Sequence, residues 1–445
     1  FNLEFFCFII LLVIFMKTLD EKLIIDISKQ KDEPKWMLDF RLKSFSAFKK
    51  LDNPNFGPKL DIDFNSINYY KKVGNNETEW KNVSCDIRNK FKSLGVIDAE
   101  EKHLSGVTNQ YESEVIYHKG KDELKEKGVI FLSSDDALKE YPDLFKEYFN
   151  NLVKYDENKY TALNGALWSG GSFIYIPKNT KLDRPLQSYF RIDSIALGQF
   201  ERTIIIVDEG SELSYIEGCT AESHSANSLH AGVVEIYVKK NAKCKYSTIQ
   251  NWSGDVYNLV TKRAIVGASG LMEWVDGNIG SKVTMKYPSC ILLGDYAVGN
   301  SISIAYAKSG QILDAGAKMI HIGAHTKSNI VSKSIAADGG TANYRGTTKI
   351  CESAINSEAR IKCDTIMLDD NSISDTIPFN VVYNDSSILE HEATVSKISE
   401  DKLQYLMSKG IDETHAKELL VMGFIDDFKK ELPMEYAVEL NRLLK

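Results

Sequence analysis

From about Gly165 onward the chain is a succession of short runs of β-branched and aromatic residues, each broken by a few small or polar residues. This repeat constrains the fold more than any other feature. The copies are IIIVDEGSELSYIEG at 204–218, EIYVKKNAKCKYSTI at 235–249, RAIVGASGLMEWVDG at 263–277 and SIAYAKSGQILDAGA at 303–317, with looser ones at 366–380 and 381–395. Each reads as strand, tight turn, strand. No single copy can bury its own apolar face, whereas stacked copies bury a continuous core, which is the logic of a solenoid. The copies are too irregular for a short-period hexapeptide helix. A β-sandwich of hairpins competes, but the same turn at matching offsets favours a parallel β-helix. The expected class is therefore mainly β, with a β-solenoid core over 161–395.

The flanks read differently. Residues 16–160 are expected to be helical and irregular: Trp36, Met37, Phe40 and Phe45 recur near helical spacing after Pro34, and 51–80 is rich in turn residues. Helical patterning returns over 396–445, where Gly410 fits a helix C-terminus and Asp412 a helix cap. There Leu419, Leu420, Met422, Phe424, Ile425 and Phe428 form a dense apolar group, read either as a cap on the solenoid end or as a docking surface. The segment FNLEFFCFIILLVIF at 1–15 is nearly all apolar. It is shorter than the roughly 20 residues a membrane span needs, and it lacks the flanks of a signal peptide. It is read as an extension outside the fold, with Met16 at or near the true start and no stable membrane insertion.

The net charge of −8, from 54 basic and 62 acidic residues, is no footprint for non-specific nucleic-acid binding. The seven cysteines are scattered, without a CxxC, and imply a reducing compartment. The abundance of Lys, Asn, Ile, Tyr and Phe points to an AT-rich genome such as an organelle's. No GxxxxGK[ST], HExxH, GxSxG or GxGxxG occurs, which weighs against common NTPases, zinc proteases, hydrolases and dinucleotide enzymes. GALWSGGS at 165–172 reads as a turn at the solenoid mouth.

The residues suited to a soft metal are Cys219, Cys363 and the run Glu390-His391-Glu392. On a strand Glu390 and Glu392 share one face and His391 the other, so the three meet only at a strand end or bend. Taken alone, each cysteine reads as buried packing. His321 and His325 are four apart but lie in strand and turn, which argues against a shared ligand role. Asp364, Asp369 and Asp370 read as turn residues.

The segments EPKWMLDFRLK (33–43), NGALWSGGSFIYIPK (164–178), LQSYFRID (186–193), YIEGC (215–219), QNW (250–252), TKRA (261–264), KMIHIG (318–323), YRG (344–346), KCD (362–364) and LEHEAT (389–394) resemble the SufB family, the scaffold subunit of the SUF iron–sulfur assembly system. The likeness runs from about Glu33 to Lys445. It implies a right-handed parallel β-helix and a scaffold rather than an enzyme, with ATP hydrolysis in a SufC partner docked on the C-terminal helices. It further implies a SufD paralogue or second copy, persulfide sulfur from SufS with SufE or SufU, and apoprotein recipients. The cargo would be a transient cluster, expected as [4Fe–4S], with reduced flavin as an electron source. By resemblance Cys219 is the sulfur acceptor. Cys363, Glu390, His391 and Glu392 are the cluster site. Arg191, Gln250, Trp252 and Lys262 line a sulfur path, with Arg191 and Lys262 expected to lower the Cys219 pKa. Asp193 stands where the family commonly has Asn; a carboxylate there is expected either to pair with Arg191 or to repel a passing sulfur anion. Family and composition together imply a plastid-type stroma, apicoplast or chloroplast, with a bacterial cytoplasm as the alternative. The competing functions are a cluster-less SufD-like paralogue and a β-solenoid enzyme acting on polysaccharide.

Overall fold

The computed structural model describes residues 19–223 and 226–431; the apolar segment 1–15 and the last residues of the C-terminal region lie outside them. It is mainly β, a solenoid of about eight turns flanked by helices, as the repeat predicts. One wall is a ten-stranded sheet. It opens with the hairpin Gly106–Tyr111 and Glu114–Gly120, then stacks Leu186–Ile192, Glu212–Ala221, Lys243–Trp252, Leu271–Gly280, Val298–Ala307, Lys327–Ala336, Glu358–Met367 and Ile388–Lys397 in parallel. The facing wall includes Ser172–Ile176, Arg202–Val207, Val233–Val238 and Val256–Val266, and ends on Thr376–Val382. Both sheets therefore begin upstream of residue 161, in a region that reads from sequence as helical and irregular: the hairpin belongs to the first sheet, and Ile130–Ser133 to the second.

Side chains alternate across each strand, so the register sorts the interior into columns. One runs Tyr215, Tyr246, Trp274, Ser301, Ile330, Ile361, His391. The next runs Glu217, Thr248, Asp276, Ser303, Ser332, Cys363, Ala393. A third runs Cys219, Gln250, Asn278, Ala305, Ser334, Thr365. The first column is largely apolar; the other two carry most of the buried polar groups.

The corner from the second sheet to the first is a stack of left-handed residues: Asn179, Gly210, Asn241, Ser269, Tyr296, His325 and Asn356 all have positive φ. The backbone N–H of each of the first six donates to a carbonyl in the next turn, so the ladder continues around the corner. The copies at 204–218, 235–249 and 263–277 cross this corner. The copy at 303–317 crosses the opposite one, from Val298–Ala307 to Ile312–Ala315. The repeat is real, but both corners turn on left-handed residues, Gly310 in the copy at 303–317, and the sequence superimposed them.

In the glycine-rich stretch Gly171 has φ +81°, and a Cβ there would lie 2.2 Å from the Arg202 carbonyl oxygen. The helices Lys35–Lys50 and Lys159–Leu167 pack beside it. Arg41, fully buried, pairs with Glu33 and donates to the carbonyls of Ala166 and Trp168.

The helices Glu413–Phe424 and Asp426–Glu431 lie on the outer flank of the first sheet rather than over the solenoid end. Val421, Ile425 and Phe428 bury against Ile249, Val275 and Ile304, while Leu419 stays exposed. The last turn of the solenoid is open among the described residues. Phe379 is 60% exposed, Ile388 59% and Tyr383 57%.

Candidate functional site

Two buried cysteines face the interior near opposite ends of the solenoid. Cys219, on Glu212–Ala221, is 1% exposed. Its Sγ is 3.8 Å from Glu217 Oε1 and 4.0 Å from Gln250 Nε2. Period two places Glu217 and Cys219 on the same face of the strand. Glu217 Oε1 also accepts from Lys262 Nζ at 2.8 Å, and Oε2 accepts from the Tyr246 hydroxyl.

The orientation of Gln250 follows from its neighbours. Its Oε1 accepts from Asn258 Nδ2 at 2.8 Å and from Lys286 Nζ at 3.3 Å. The amide nitrogen is thereby left for the sulfur. Lys286 pairs with Asp276 at 3.1 Å and Asp276 accepts from Thr248 at 2.7 Å. Because Asn258 Nδ2 donates to Gln250 and Thr284, its Oδ1 faces His230 Nδ1 at 2.8 Å. His230 Nε2 is 2.8 Å from Glu201 Oε1. Both ring nitrogens thus meet acceptors, which requires the imidazolium; Glu201 and the hydrogen bonds outweigh burial and hold its pKa above the ordinary value. The Trp252 ring packs 4.6 Å from the His230 ring and belongs to the apolar cluster around Cys219.

Burial pushes the Cys219 thiol well above its usual pKa; Glu217 and Glu201 push it further, and Lys262 and Lys286 offset only part. The expectation that Arg191 and Lys262 depress it is corrected. Lys262 acts in that direction but loses to desolvation. Arg191 is opposite Thr220, not Cys219, and so points away from the interior. It pairs with Asp193 at 2.7 Å and Glu222 at 3.1 Å. The Asp193 carboxylate thus occupies Arg191, as its substitution for Asn allowed, and also meets Lys90 at 2.9 Å.

Cys363, on Glu358–Met367, is 2% exposed and belongs to the Glu217 column. Burial pushes its thiol up to about 12, the Tyr344 hydroxyl opposing and Asp364 adding. On the final strand His391 stacks on Ile361, one inward position from Cys363. Its Nδ1 lies 3.2 Å from Asn380 Nδ2, and its Nε2 is shielded from solvent without a hydrogen-bond partner among the described residues. Burial lowers its pKa. Glu390 and Glu392 face outward, 64% and 66% exposed, toward Arg360 at 3.4 Å and Lys362 at 3.7 Å. The strand runs unbroken through them, so the four residues expected to form one cluster site divide: Cys363 and His391 inside, the carboxylates outside. Among the described residues no three His, Cys, Asp or Glu side chains are placed to hold a metal.

The structure thus gathers Cys219, Gln250, Trp252 and Lys262, and leaves out Arg191. Sequence reading missed Glu217, Lys286, Asp276, Asn258 and His230. Only Glu217 carried a signal, two residues before Cys219 on the same strand face; the others converge through register. His321 is a satisfied core histidine, its nitrogens 2.8 Å from Thr326 Oγ1 and 2.9 Å from Ser328 Oγ, and Asp369 caps a turn through Asn371 and Ser372.

Comparison with known proteins bears on the whole architecture. Residues 190–424 match the SUF system FeS cluster assembly SufBD core domain, and residues 30–188 the SufBD protein N-terminal region. Proteins of Staphylococcus epidermidis, Staphylococcus saprophyticus and Staphylococcus aureus, each described as an iron-sulfur cluster assembly SufBD family protein, are 56% identical over 429 residues, covering 96% of this chain and 92% of each relative. These relatives are bacterial and lend nothing to the plastid reading. No helix among the described residues is long and apolar enough to cross a membrane. The polysaccharide-enzyme alternative has no support here. The chain belongs to the SufBD family of iron–sulfur cluster assembly proteins.

Proposed function

We propose that the chain is a SufB-type scaffold, not itself an enzyme, on which sulfur enters at Cys219 and a cluster is built at the open end beside Cys363 and His391. The observation that carries this is the pair of adjacent inward columns. Cys219 heads one, and Glu217, Thr248, Asp276, Ser303, Ser332 and Cys363 form the other. Five strand spacings of about 4.8 Å separate the two cysteine-bearing strands, about 24 Å in all. Polar side chains occur at every level, so a sulfur anion can be handed along without crossing a wholly apolar layer.

Iron and sulfide are cargo. Cys363 supplies a thiolate and His391 an imidazole nitrogen; rotation of the Asn380 amide selects which ring nitrogen keeps its proton. Two ligands hold a nascent [4Fe–4S] cluster loosely, which suits a scaffold that gives its product to apoproteins. The remaining ligands come from the subunit that covers Phe379, Tyr383 and Ile388, a SufD-type paralogue or a second copy. Glu390 and Glu392 on the adjacent outer face are placed to meet incoming iron. The chain has no nucleotide-binding loop, so ATP hydrolysis belongs to a SufC-type partner on the C-terminal helices. A SufS desulfurase with SufE or SufU supplies persulfide, and reduced flavin supplies electrons. At 1% exposure Cys219 is out of reach of a protein-borne persulfide, so loading requires the ATPase to strain the solenoid open.

The absence of a three-ligand set among the described residues favours a second reading, a cluster-less SufD-like subunit. Anaerobic reconstitution of the complex with its ATPase and paralogue subunits separates the two. The scaffold reading expects iron and labile sulfide that Cys363→Ala markedly reduces. A cluster retained at full occupancy in Cys363→Ala would assign it elsewhere.

A further inference from the structure

At the head of the sulfur path the interior places a carboxylate directly against Cys219. Glu217 Oε1 receives both the Cys219 thiol, at 3.8 Å, and the Lys262 ammonium, at 2.8 Å. We propose that Glu217 is the base for Cys219: it takes the thiol proton and, once neutral, leaves Lys262 as counter-ion to the sulfur anion. This rests on the reading of Cys219 as sulfur acceptor.

A buried thiolate is costly unless a cation attends it. Glu217, Lys262 and Cys219 carry no net charge as carboxylate, ammonium and thiol, and none after the proton moves to Glu217. The transfer creates no new buried net charge and needs no hydroxide from bulk water. The groups facing this centre are the Tyr215 and Tyr246 hydroxyls, the Lys286–Asp276 pair, and Glu201 held by His230. Asp276 is paired with Lys286, Glu201 with His230 and Glu217 with Lys262; of the three carboxylates it is Glu217 whose oxygen meets the sulfur.

With a donor persulfide the balance is simple. The Cys219 thiolate attacks the terminal sulfur of R–S–SH, the new S–S bond forms as the old one breaks, and R–S⁻ leaves with the electron pair. The proton held by Glu217 returns to that thiolate if the donor remains within reach. The Cys219 persulfide that remains ionises more easily than the thiol; its proton passes to the same Glu217 carboxylate, which releases Lys262 to pair with the persulfide anion.

The test uses hydrogen peroxide, small enough to enter without a partner, on the full-length chain. Peroxide converts thiolate to sulfenic acid with release of hydroxide, which takes the proton from Glu217 and leaves water. Sulfenic acid at each cysteine is trapped with dimedone after quenching and quantified by peptide mass spectrometry. Cys244 and Cys290 are fully buried thiols without a carboxylate hydrogen bond and act as internal references. An external-base thiol gains about tenfold in rate per pH unit below its pKa. The expected result is a Cys219 rate that changes less than about twofold from about pH 6 to 8, with Glu217→Gln restoring the tenfold slope. A Cys219 slope in the parent equal to those of Cys244 and Cys290 overturns the proposal, and that outcome can be read even if Glu217→Gln misfolds. The profile reports the proton alone: a flat profile alongside failed cluster reconstitution would keep Glu217 as the base and remove the scaffold reading.

Discussion

Replacing Lys262 by Met tests how the interior charges are held. The change keeps an unbranched chain of similar length and removes only the cation. Lys262 and Glu217 are 1% and 2% exposed and 2.8 Å apart. Removing one partner of so buried a pair strands the other and costs about 3–5 kcal/mol. In the parent, burial raises the Glu217 pKa but Lys262, Tyr246 and Lys286 outweigh it and hold it below the ordinary value. A carboxylate with a depressed folded-state pKa stabilises above its unfolded pKa, about 4.3, and loses that contribution as pH falls through the folded value. Without Lys262 the sign reverses: Glu217 is driven upward toward protonation, so the deficit of Lys262→Met is largest at neutral pH and shrinks as the solution is acidified. The double variant Lys262→Met/Glu217→Gln removes both charges and recovers more than half of the loss. Urea titration of the full-length chain at about pH 8 and about pH 5.5, read by tryptophan fluorescence and circular dichroism, supplies the cycle. If the double variant is no more stable than Lys262→Met, or the deficit does not depend on pH, the ion pair is not what Lys262 contributes.

Three further outcomes follow from the geometry. In the isolated chain a bulky maleimide labels exposed Cys85 at once and leaves Cys219 and Cys363 unlabelled; with the ATPase partner and ATP, Cys219 becomes labelled, as mass spectrometry of the cysteine peptides would show. Gly171→Ala, which forces a Cβ to within 2.2 Å of the Arg202 carbonyl at φ +81°, destabilises by more than about 1 kcal/mol and lowers the thermal midpoint. Phe379→Glu and Tyr383→Glu, at exposed positions of the last turn, change stability by less than about 0.5 kcal/mol. They nonetheless abolish association with the covering subunit in native mass spectrometry.

The solenoid was legible because its cause is local: runs of β-branched residues cut by small turns require stacking wherever they recur. The register was not. The copy at 303–317 has the same turn residues as its neighbours yet crosses the other corner, since a tight left-handed turn makes the same demand at both. The strands at 106–120 and 130–133 were hidden by the helical texture around them. Of the site, Cys219 and Cys363 could be named from their motifs, and the alternation that separates His391 from Glu390 and Glu392 follows from strand geometry alone. The ring of Lys286, Asp276, Asn258 and His230 was invisible because its members come from strands 230–286, brought together by vertical stacking. Arg191 was assigned to the interior by motif, and the register turns it outward.

The central claim is that sulfur travels inside the solenoid from Cys219 to Cys363. It is tested most directly by loading the assembled complex with ³⁴S-labelled persulfide and following label on the two cysteine peptides with time. The account predicts label on Cys219 first and on Cys363 later, none on Cys363 in Cys219→Ser, and arrest at Cys219 when Ser332→Leu blocks the column between them. Label reaching Cys363 at the parental rate in Cys219→Ser would contradict it and place sulfur entry at the open end.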